Sequence, residues 1–453
     1  MSRWLLVLTV LLASCSLTTG TAFKECDTDS QCGSSRACSA GYCLPMPEGC
    51  RRFEGPFDQT GLIRLAALVP LSVARDGGSD ALEQNGLNGM ALAVREVNGL
   101  RIGFRFGLIV CDTFRESTAT TGQVEWAVKE LEVPALVVSG NSATLLASQN
   151  AVRRGAGTLI MSPNATAEGL IALFQSDHST FRIAPPDPMQ ASVLAQLMTG
   201  DSQYVGQTRV AVIYEEGNDR DQFAANVRSR LIAAGREAGV FPYKAPVDPA
   251  VLISILRSTF RPTASVLIGS PEQVRTIITE TAKAPSLSRA DGHRWLFSSS
   301  AKDPVLLASS AVAHELDGML GAAPTKGGGA IADDFHRRFI AAYGTEPVSA
   351  QASFDAAFLV MLSAAWASND AGTPTGARMA EGLFNVSDGG KLVHLTPTEW
   401  RDGVTELSNR RPITVEGVTG RLSLDPDAGA PSNTFEVWKV SDGGFAIVRF
   451  AKP

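Results

Sequence analysis

From residue 62 onward, short unbroken apolar runs alternate with stretches whose apolar residues recur every three or four positions. The runs "LIRLAALVPLS" (62–72), "FRFGLIVCDT" (104–113), "VPALVVSG" (133–140) and "GTLIMSP" (157–163) predict strands. Their near-continuous apolarity marks strands covered on both faces. Between them, "LNGMALAVREVN" (87–98) puts Leu87, Met90, Ala91, Val94 and Val97 on one helical face. "TGQVEWAVKEL" (121–131) and "ATLLASQNAVRR" (143–154) predict two more helices. After residue 187 the alternation restarts. "MQASVLAQLMTG" (189–200), "QFAANVRSRLIAAG" (222–235) and "PEQVRTIITETAK" (271–283) predict helices, and "TRVAVIYEE" (208–216), "ASVLIGS" (264–270) and "HRWLFSSS" (293–300) predict strands. This alternation predicts parallel sheets with helices on both faces. Two successive blocks predict two α/β lobes of similar architecture. Ligands of such sheets bind beyond the carboxyl ends of the strands, so two facing lobes would share one cleft.

The first 60 residues follow another pattern. Arg3 precedes an apolar stretch from Trp4 to Leu12. That stretch is too short to span a bilayer, which takes ~20 residues, and has the length of the apolar region of a secretory signal. It ends in Leu12-Ala13-Ser14-Cys15, which resembles the bacterial lipobox. The resemblance implies a signal peptide at 1–14 and lipid on Cys15. Ser16, standing where an Asp would retain a Gram-negative lipoprotein at the inner membrane, resembles the outer-membrane pattern. The competing reading is an ordinary signal peptide cut slightly later. "ECDTDSQCGSSRACSAGYC" (25–43) then packs four cysteines among Gly, Ser and Asp. It lacks the apolar residues for a core of its own, so disulfides must hold it.

The chain has seven cysteines: Cys15, Cys26, Cys32, Cys38, Cys43, Cys50 and Cys111. With Cys15 on lipid, six remain, enough for three disulfides in an oxidising compartment. The spacings resemble small Cys-rich modules of secreted proteins, and that resemblance implies Cys26–Cys38 and Cys32–Cys43. Four cysteines allow three connectivities. Cys50 and Cys111 are left over and could pair with each other. A zinc site is the competing reading, opposed by export and by the lack of paired CxxC units. Asp27 and Asp29 suggest calcium or, more simply, solvated acids.

At 453 residues the chain has room for two or three domains, and 44 % hydrophobic residues is ordinary for a globular protein. The net charge of -6 comes with no basic stripe, which argues against nucleic acid as a partner. Beyond the signal, no further apolar run of transmembrane length is expected. Five histidines form no metal-ligand spacing, and neither a metal nor a cofactor is expected. There is no GxSxG elbow, Walker loop, GxGxxG after a strand or HExxH, so an enzyme is not expected.

Seven blocks occur in order: "LNGMALAVREVN", "LVVSGNSATLLA", "LIMSPNATAEGL", "FRIAPPDPMQASVLA", "DGMLGAAP", "ASFDAAFLVMLSAAWA" and "VEGVTGRLSLDPDAG". Together they resemble the type I periplasmic binding proteins, in particular the branched-chain amino-acid binding family of ABC importers, over roughly 62–450. The resemblance implies two Rossmann-like parallel-sheet lobes joined by three hinge crossings, preceded by the lipid-anchored Cys-rich segment at 15–60. Lobe one would span 61–186 and 320–413, and lobe two 187–319 and 414–453. The function implied is an extracytoplasmic lipoprotein that captures a small polar ligand for an ABC permease. The alternative is a sensing or scaffolding lipoprotein of the same fold with no transport role. Both face the periplasm or the cell surface.

The resemblance also implies the binding residues. A free amino acid needs hydroxyl and N–H donors for its carboxylate, ideally at helix starts, and a carboxylate for its ammonium. The loops "SGNSAT" (139–144) and "SPNATAEG" (162–169) both open helices. In the family they hold the ligand carboxylate, which places Asn141, Ser142, Ala143, Ala165 and Thr166 there. Ser, Thr and Asn before a helix also serve as N-caps. Asp187 in "RIAPPDPMQ" matches the acid that faces the ammonium, with an N-cap role as the competing reading. Four positions depart from the family. Ala143 replaces a carboxylate-binding serine, and Asp219 stands where an aromatic is usual. Ser300 stands near a second ammonium-binding acid, and Leu82 near an aromatic that covers the ligand. These departures leave room for another amino acid, a small amide or an aromatic acid.

Overall fold

The computed structural model describes residues 24–453, apart from 73–74, 76, 153–156, 218–219, 326, 348, 372–373, 388, 426 and 432–433. The signal peptide and Cys15 lie outside the described residues.

The first block folds as a six-stranded sheet in the order Cys50–Glu54, Phe106–Asp112, Ile63–Val69, Ala135–Val138, Leu159–Ser162 and Thr180–Arg182. All neighbours are parallel except the edge strand Cys50–Glu54, which runs antiparallel to Phe106–Asp112. The unbroken apolar strands are explained by two-sided burial. Leu65, Ala67 and Val69 enter the core beneath helices Ala81–Gly99 and Ala350–Ala371, while Ala66 and Leu68 enter the opposite core beneath Ser117–Lys129 and Ser142–Val152. Burying a Leu or Val side chain contributes ~1.5–3 kcal/mol. Helix Ala350–Ala371 corrects the expectation of no further long apolar run. Ala350–Ser368 is long and apolar enough to cross a membrane, but 83 % of it is buried inside the protein. Its apolarity belongs to the core of lobe one.

The second block forms a seven-stranded sheet in the order Glu237–Tyr243, Arg209–Glu215, Ala264–Ile268, Arg294–Phe297, Leu320–Pro324, Phe435–Ser441 and Gly444–Ala451. The first five are parallel, Phe435–Ser441 runs antiparallel to Leu320–Pro324, and Gly444–Ala451 turns back antiparallel to Phe435–Ser441. This sheet moves the expected boundaries. Leu320–Pro324 pairs on both sides within lobe two, so the return to lobe one follows Pro324 and does not precede Leu320. Ile413–Gly417 belongs to a small sheet with Lys391–His394 and Gly420–Arg421, and its Ile413 and Val415 enter the lobe-one core. The last crossing therefore follows Arg421. Gly321 makes room for its neighbour in this strand: a Cβ there would lie 2.1 Å from the Trp438 ring on the adjacent strand.

The chain passes between the lobes after Arg182, after Pro324 and between Leu424 and Phe435. The described residues of these crossings are joined by backbone hydrogen bonds. Arg182 N–H donates to Gly429 O at 2.9 Å and Thr325 N–H to Thr434 O at 3.1 Å. A Cβ on Gly327 would sit 1.8 Å from Val418 O, so only glycine allows that backbone approach. Asp355, fully buried on helix Ala350–Ala371, fixes the hairpin before the last crossing. It accepts from Val418 N at 2.9 Å, Thr419 N at 2.8 Å and Thr419 Oγ1 at 2.6 Å.

The Cys-rich segment is a small hairpin, Arg36–Ser39 with Tyr42–Pro45, closed by Cys26–Cys38 and Cys32–Cys43. Cys50–Cys111 joins facing residues of the edge strand and its neighbour. Asp29 is neither solvated nor a cation ligand. It is 2 % exposed, accepts from Cys38 N at 2.6 Å and ion-pairs with Arg64 Nε at 3.1 Å. Arg64 is the second residue of strand Ile63–Val69, so the module docks against the starting end of the lobe-one sheet.

Candidate functional site

The carboxyl ends of strands from both sheets meet in a cleft of about 180 Å³ between the lobes. Lobe one contributes Thr166, from the loop after Leu159–Ser162, and the first crossing contributes Pro185. Lobe two supplies the other polar groups: Asp187, Gln190, Arg220 and the run Ser298, Ser299 and Ser300. Phe223, Ile268, Pro324 and Phe435 form the apolar walls. Each polar group owes its position to a strand end or a helix start. Asp187 opens helix Asp187–Gly200 behind Pro186, and Arg220 opens helix Arg220–Ala233. The serines follow strand Arg294–Phe297. The volume is below the ~300 Å³ lower bound for drug-sized sites, which suits a small metabolite. Three larger grooves, of 590, 760 and 290 Å³, lie around Pro249–Ser258, around Arg95–Arg105 and around Gly61–Arg64, where loops from the two lobes do not converge.

Three of the expected residues, Thr166, Asp187 and Ser300, line this cleft together. The others are placed differently. Asn141 caps helix Ser142–Val152, its Oδ1 accepting from Thr144 N at 3.1 Å. Asn141 and Ala143 line a separate 70 Å³ cavity with Arg115 and Thr144. Ser142 is buried, and its hydroxyl accepts from Ala167 N at 3.3 Å, so it ties the two helix-opening loops together. Ala165 is buried, with its N–H given to Ser162 Oγ at 3.2 Å. Leu82 is 52 % exposed on the first turn of helix Ala81–Gly99 and outside the cleft lining. Asp219 lies outside the described residues. Asp187 is not an N-cap: that position is Pro186, and no side chain caps the helix.

Two arginines set the electrostatics, one in each lobe. In lobe one, Arg182 is 2 % exposed and its Nη1 donates to Ala167 O at 2.8 Å. Burial pulls its pKa down to about 10, partly offset by the nearby Asp187 carboxylate. In lobe two, Arg220 Nη1 lies 3.0 Å from Glu215 Oε2. Glu215 also accepts from Ser270 N and Ser270 Oγ, both at 2.8 Å. Burial alone would raise Glu215, but the Ser270 donors and Arg220 outweigh it and hold the carboxyl below its usual range. Gln190 is fixed by its Nε2 donating to Ala322 O at 2.8 Å, and Ser298 and Ser300 share a hydrogen bond of 2.9 Å. Across the cleft mouth, Glu168 of lobe one accepts from Asn226 Nδ2 at 3.0 Å and Gln222 Nε2 at 3.4 Å on the lobe-two helix.

Sequence reasoning missed Arg220, Gln190, Ser298, Ser299 and the apolar walls. A signal existed for some of them. Arg220 follows the loop at a strand end, Gln190 lies one helical turn beyond Asp187, and Ser298 and Ser299 adjoin Ser300. The walls had none, since Phe435 reaches the cleft from a strand over 100 residues further along the chain. Cys26, Cys32 and Cys43 cluster closely enough to hold an ion, but their sulfurs are consumed by disulfides and are not the thiolates that zinc needs.

No curated protein sequence matches the chain significantly. Solved structures do resemble it. A leucine-binding protein of Thermotoga maritima is 18 % identical, with a TM-score of 0.63 over 86 % of this chain and 99 % of its own. A branched-chain amino-acid transporter substrate-binding protein of Streptococcus pneumoniae, in complex with isoleucine, is 17 % identical, with a TM-score of 0.62 over 86 % of this chain and 100 % of its own. An ABC-transporter solute-binding protein of Rhodopseudomonas palustris, in complex with 3,4-dihydroxybenzoic acid, is 16 % identical, with a TM-score of 0.62 over 86 % and 97 %. The sequence profile of the receptor family ligand binding region matches residues 86–443. With two sheets, three crossings and a cleft at the strand ends, the chain belongs to that ligand-binding family, in the two-lobed form of the type I periplasmic binding proteins.

Proposed function

We propose that the chain is an exported lipoprotein, anchored through Cys15 after loss of residues 1–14, that captures a small polar ligand between its lobes for an ABC importer. It faces the periplasm or the cell surface and does no chemistry on the ligand. The observation that carries the reading is the convergence of Thr166, Asp187 and Ser300 on one inter-lobe cleft. In this reading Asp187 meets an ammonium, and Thr166 with the lobe-one loop meets the other end of the ligand. The ligand is of amino-acid or small aromatic-acid type, like the leucine, isoleucine and 3,4-dihydroxybenzoic acid of the structurally similar proteins. A second reading, a sensor or scaffold of the same fold, is favoured by the Cys-rich module docked on lobe one.

A thermal-shift screen of amino acids and small organic acids tests the capture. A ligand at ~100 times its dissociation constant stabilises by ~2.7 kcal/mol. A charged hydrogen bond contributes ~1.5–3 kcal/mol, so Asp187→Ala is expected to weaken an amine-bearing ligand about tenfold to a hundredfold. Unchanged affinity in a folded Asp187→Ala protein would refute the ammonium role. Uptake of the ligand by cells with and without the protein separates import from sensing, and membrane fractionation of Cys15→Ala tests the anchor.

A further inference from the structure

The charged groups that face the cleft are not those of a site built only for an ammonium. Among the described lining residues one is basic, Arg220, and it projects from lobe two. Glu215 holds its guanidinium through one nitrogen at 3.0 Å, and Glu215 does not line the cleft. Glu215 is in turn fixed by both donors of Ser270. A guanidinium offers five N–H donors in a planar fork. A carboxylate behind it at one nitrogen orients the fork and leaves donors for a second anion. Glu215 is the only partner of the Arg220 side chain among the described residues. The neighbouring wall of Ser298, Ser299 and Ser300 presents hydroxyls and no acid.

We propose that Arg220 is a specificity-determining residue, and that the ligand carries a carboxylate presented to lobe two, with its apolar body between Phe223 and Phe435. Thr166 from lobe one and Arg220 from lobe two then share the carboxylate of a ligand whose ammonium meets Asp187, or Arg220 reads a simple organic acid that leaves Asp187 unused. This inference rests on the cleft being a small-molecule site. The alternative is that Arg220 and Glu215 form an ion pair that only stiffens lobe two. The two differ in one measurable respect: a structural pair affects all ligands alike, whereas an anion reader separates acids from their uncharged counterparts.

The test uses the full chain and two matched pairs of probes, leucine against leucinamide and benzoate against benzamide, with affinities from calorimetry. The acid of at least one pair is expected to bind tenfold to a hundredfold more tightly than its amide. Arg220→Gln is expected to bring that ratio close to one, and Arg220→Lys to retain part of it. Amides binding as well as acids to the wild type would overturn the inference, and that measurement does not depend on any variant folding. A ratio that survives in folded Arg220→Gln would also overturn it. If a wider screen finds only ligands without an anionic group, Arg220 is a structural residue and the cleft remains a binding site. If no compound of any charge shifts the melting temperature at millimolar concentration, the small-molecule reading and this inference fall together.

Discussion

Replacing Cys50 and Cys111 together by alanine should lower the stability of lobe one by ~4 kcal/mol. The two cysteines are 61 residues apart in sequence. Cross-linking a loop of that length removes denatured-chain entropy equivalent to ~4 kcal/mol, against ~3 kcal/mol for the separation of 12 at Cys26–Cys38. Alanine suits the test, because Cys111 is fully buried and a serine hydroxyl there would add a desolvation cost. The assay is native-state hydrogen exchange of the Phe106–Asp112 amides. That strand is buried along its whole length, so its slowest amides report the unfolding of the lobe. The Cys26→Ala/Cys38→Ala pair should leave those amides unchanged and accelerate exchange only in the hairpin, since that loop closes within the module. A change below ~1 kcal/mol for the first pair would refute the chain-entropy argument. An equal change for both pairs would show that module and lobe unfold as one unit.

Asp29→Ala should undock the module at a cost of ~3 kcal/mol. This is the lower end for a broken buried ion pair, because the Arg64 side chain is 22 % exposed and can turn to water; limited proteolysis of residues 24–45 reads it. Glu168→Ala removes the hydrogen bonds across the cleft mouth, each contributing ~1 kcal/mol, and should raise the radius of gyration of the ligand-free protein in small-angle scattering; an unchanged radius would remove Glu168 from the closure. Burial pushes the Asp355 carboxyl up from 3.8 to about 6 against its three donors. Because the folded value lies above the ordinary one, its stabilising contribution is complete below pH ~4 and fades as pH rises through about 6, by up to ~3 kcal/mol. Burial instead depresses His293, from 6.5 to about 4, so its contribution is complete above pH ~6.5 and fades as pH falls. The difference between wild type and Asp355→Asn cancels His293, and a difference that grows with pH would mean that the donors keep Asp355 charged.

The sheets were legible because two-sided burial writes an unbroken apolar run, as in Ile63–Val69. The lobe boundaries were less so. Leu320–Pro324 joins lobe two by pairing with Phe435–Ser441, more than 100 residues away, and nothing local in "LGAAP" announces that partner. The edge strand Cys50–Glu54 was hidden in the same way, since its charged sequence "CRRFE" carries no strand period. In the cleft, helix-start position and residue type pointed to Thr166 and Asp187. The same cues also pointed to Ser142, which turns inward to Ala167. Side-chain direction at a loop is set by the tertiary partner. Asp29 was misread for that reason: its partner Arg64 lies beyond the module, on strand Ile63–Val69 of lobe one.

The docking of the Cys-rich module has a mechanical consequence. A pull on the chain ahead of Lys24 passes through the disulfide-closed hairpin, then through the Asp29–Arg64 contact and the Cys50–Cys111 bond, and ends in the lobe-one sheet. None of that route touches lobe two. Lobe one would then be the stator, and any swing of lobe two about the crossings would be left unopposed by tension on the amino-terminal end of the chain.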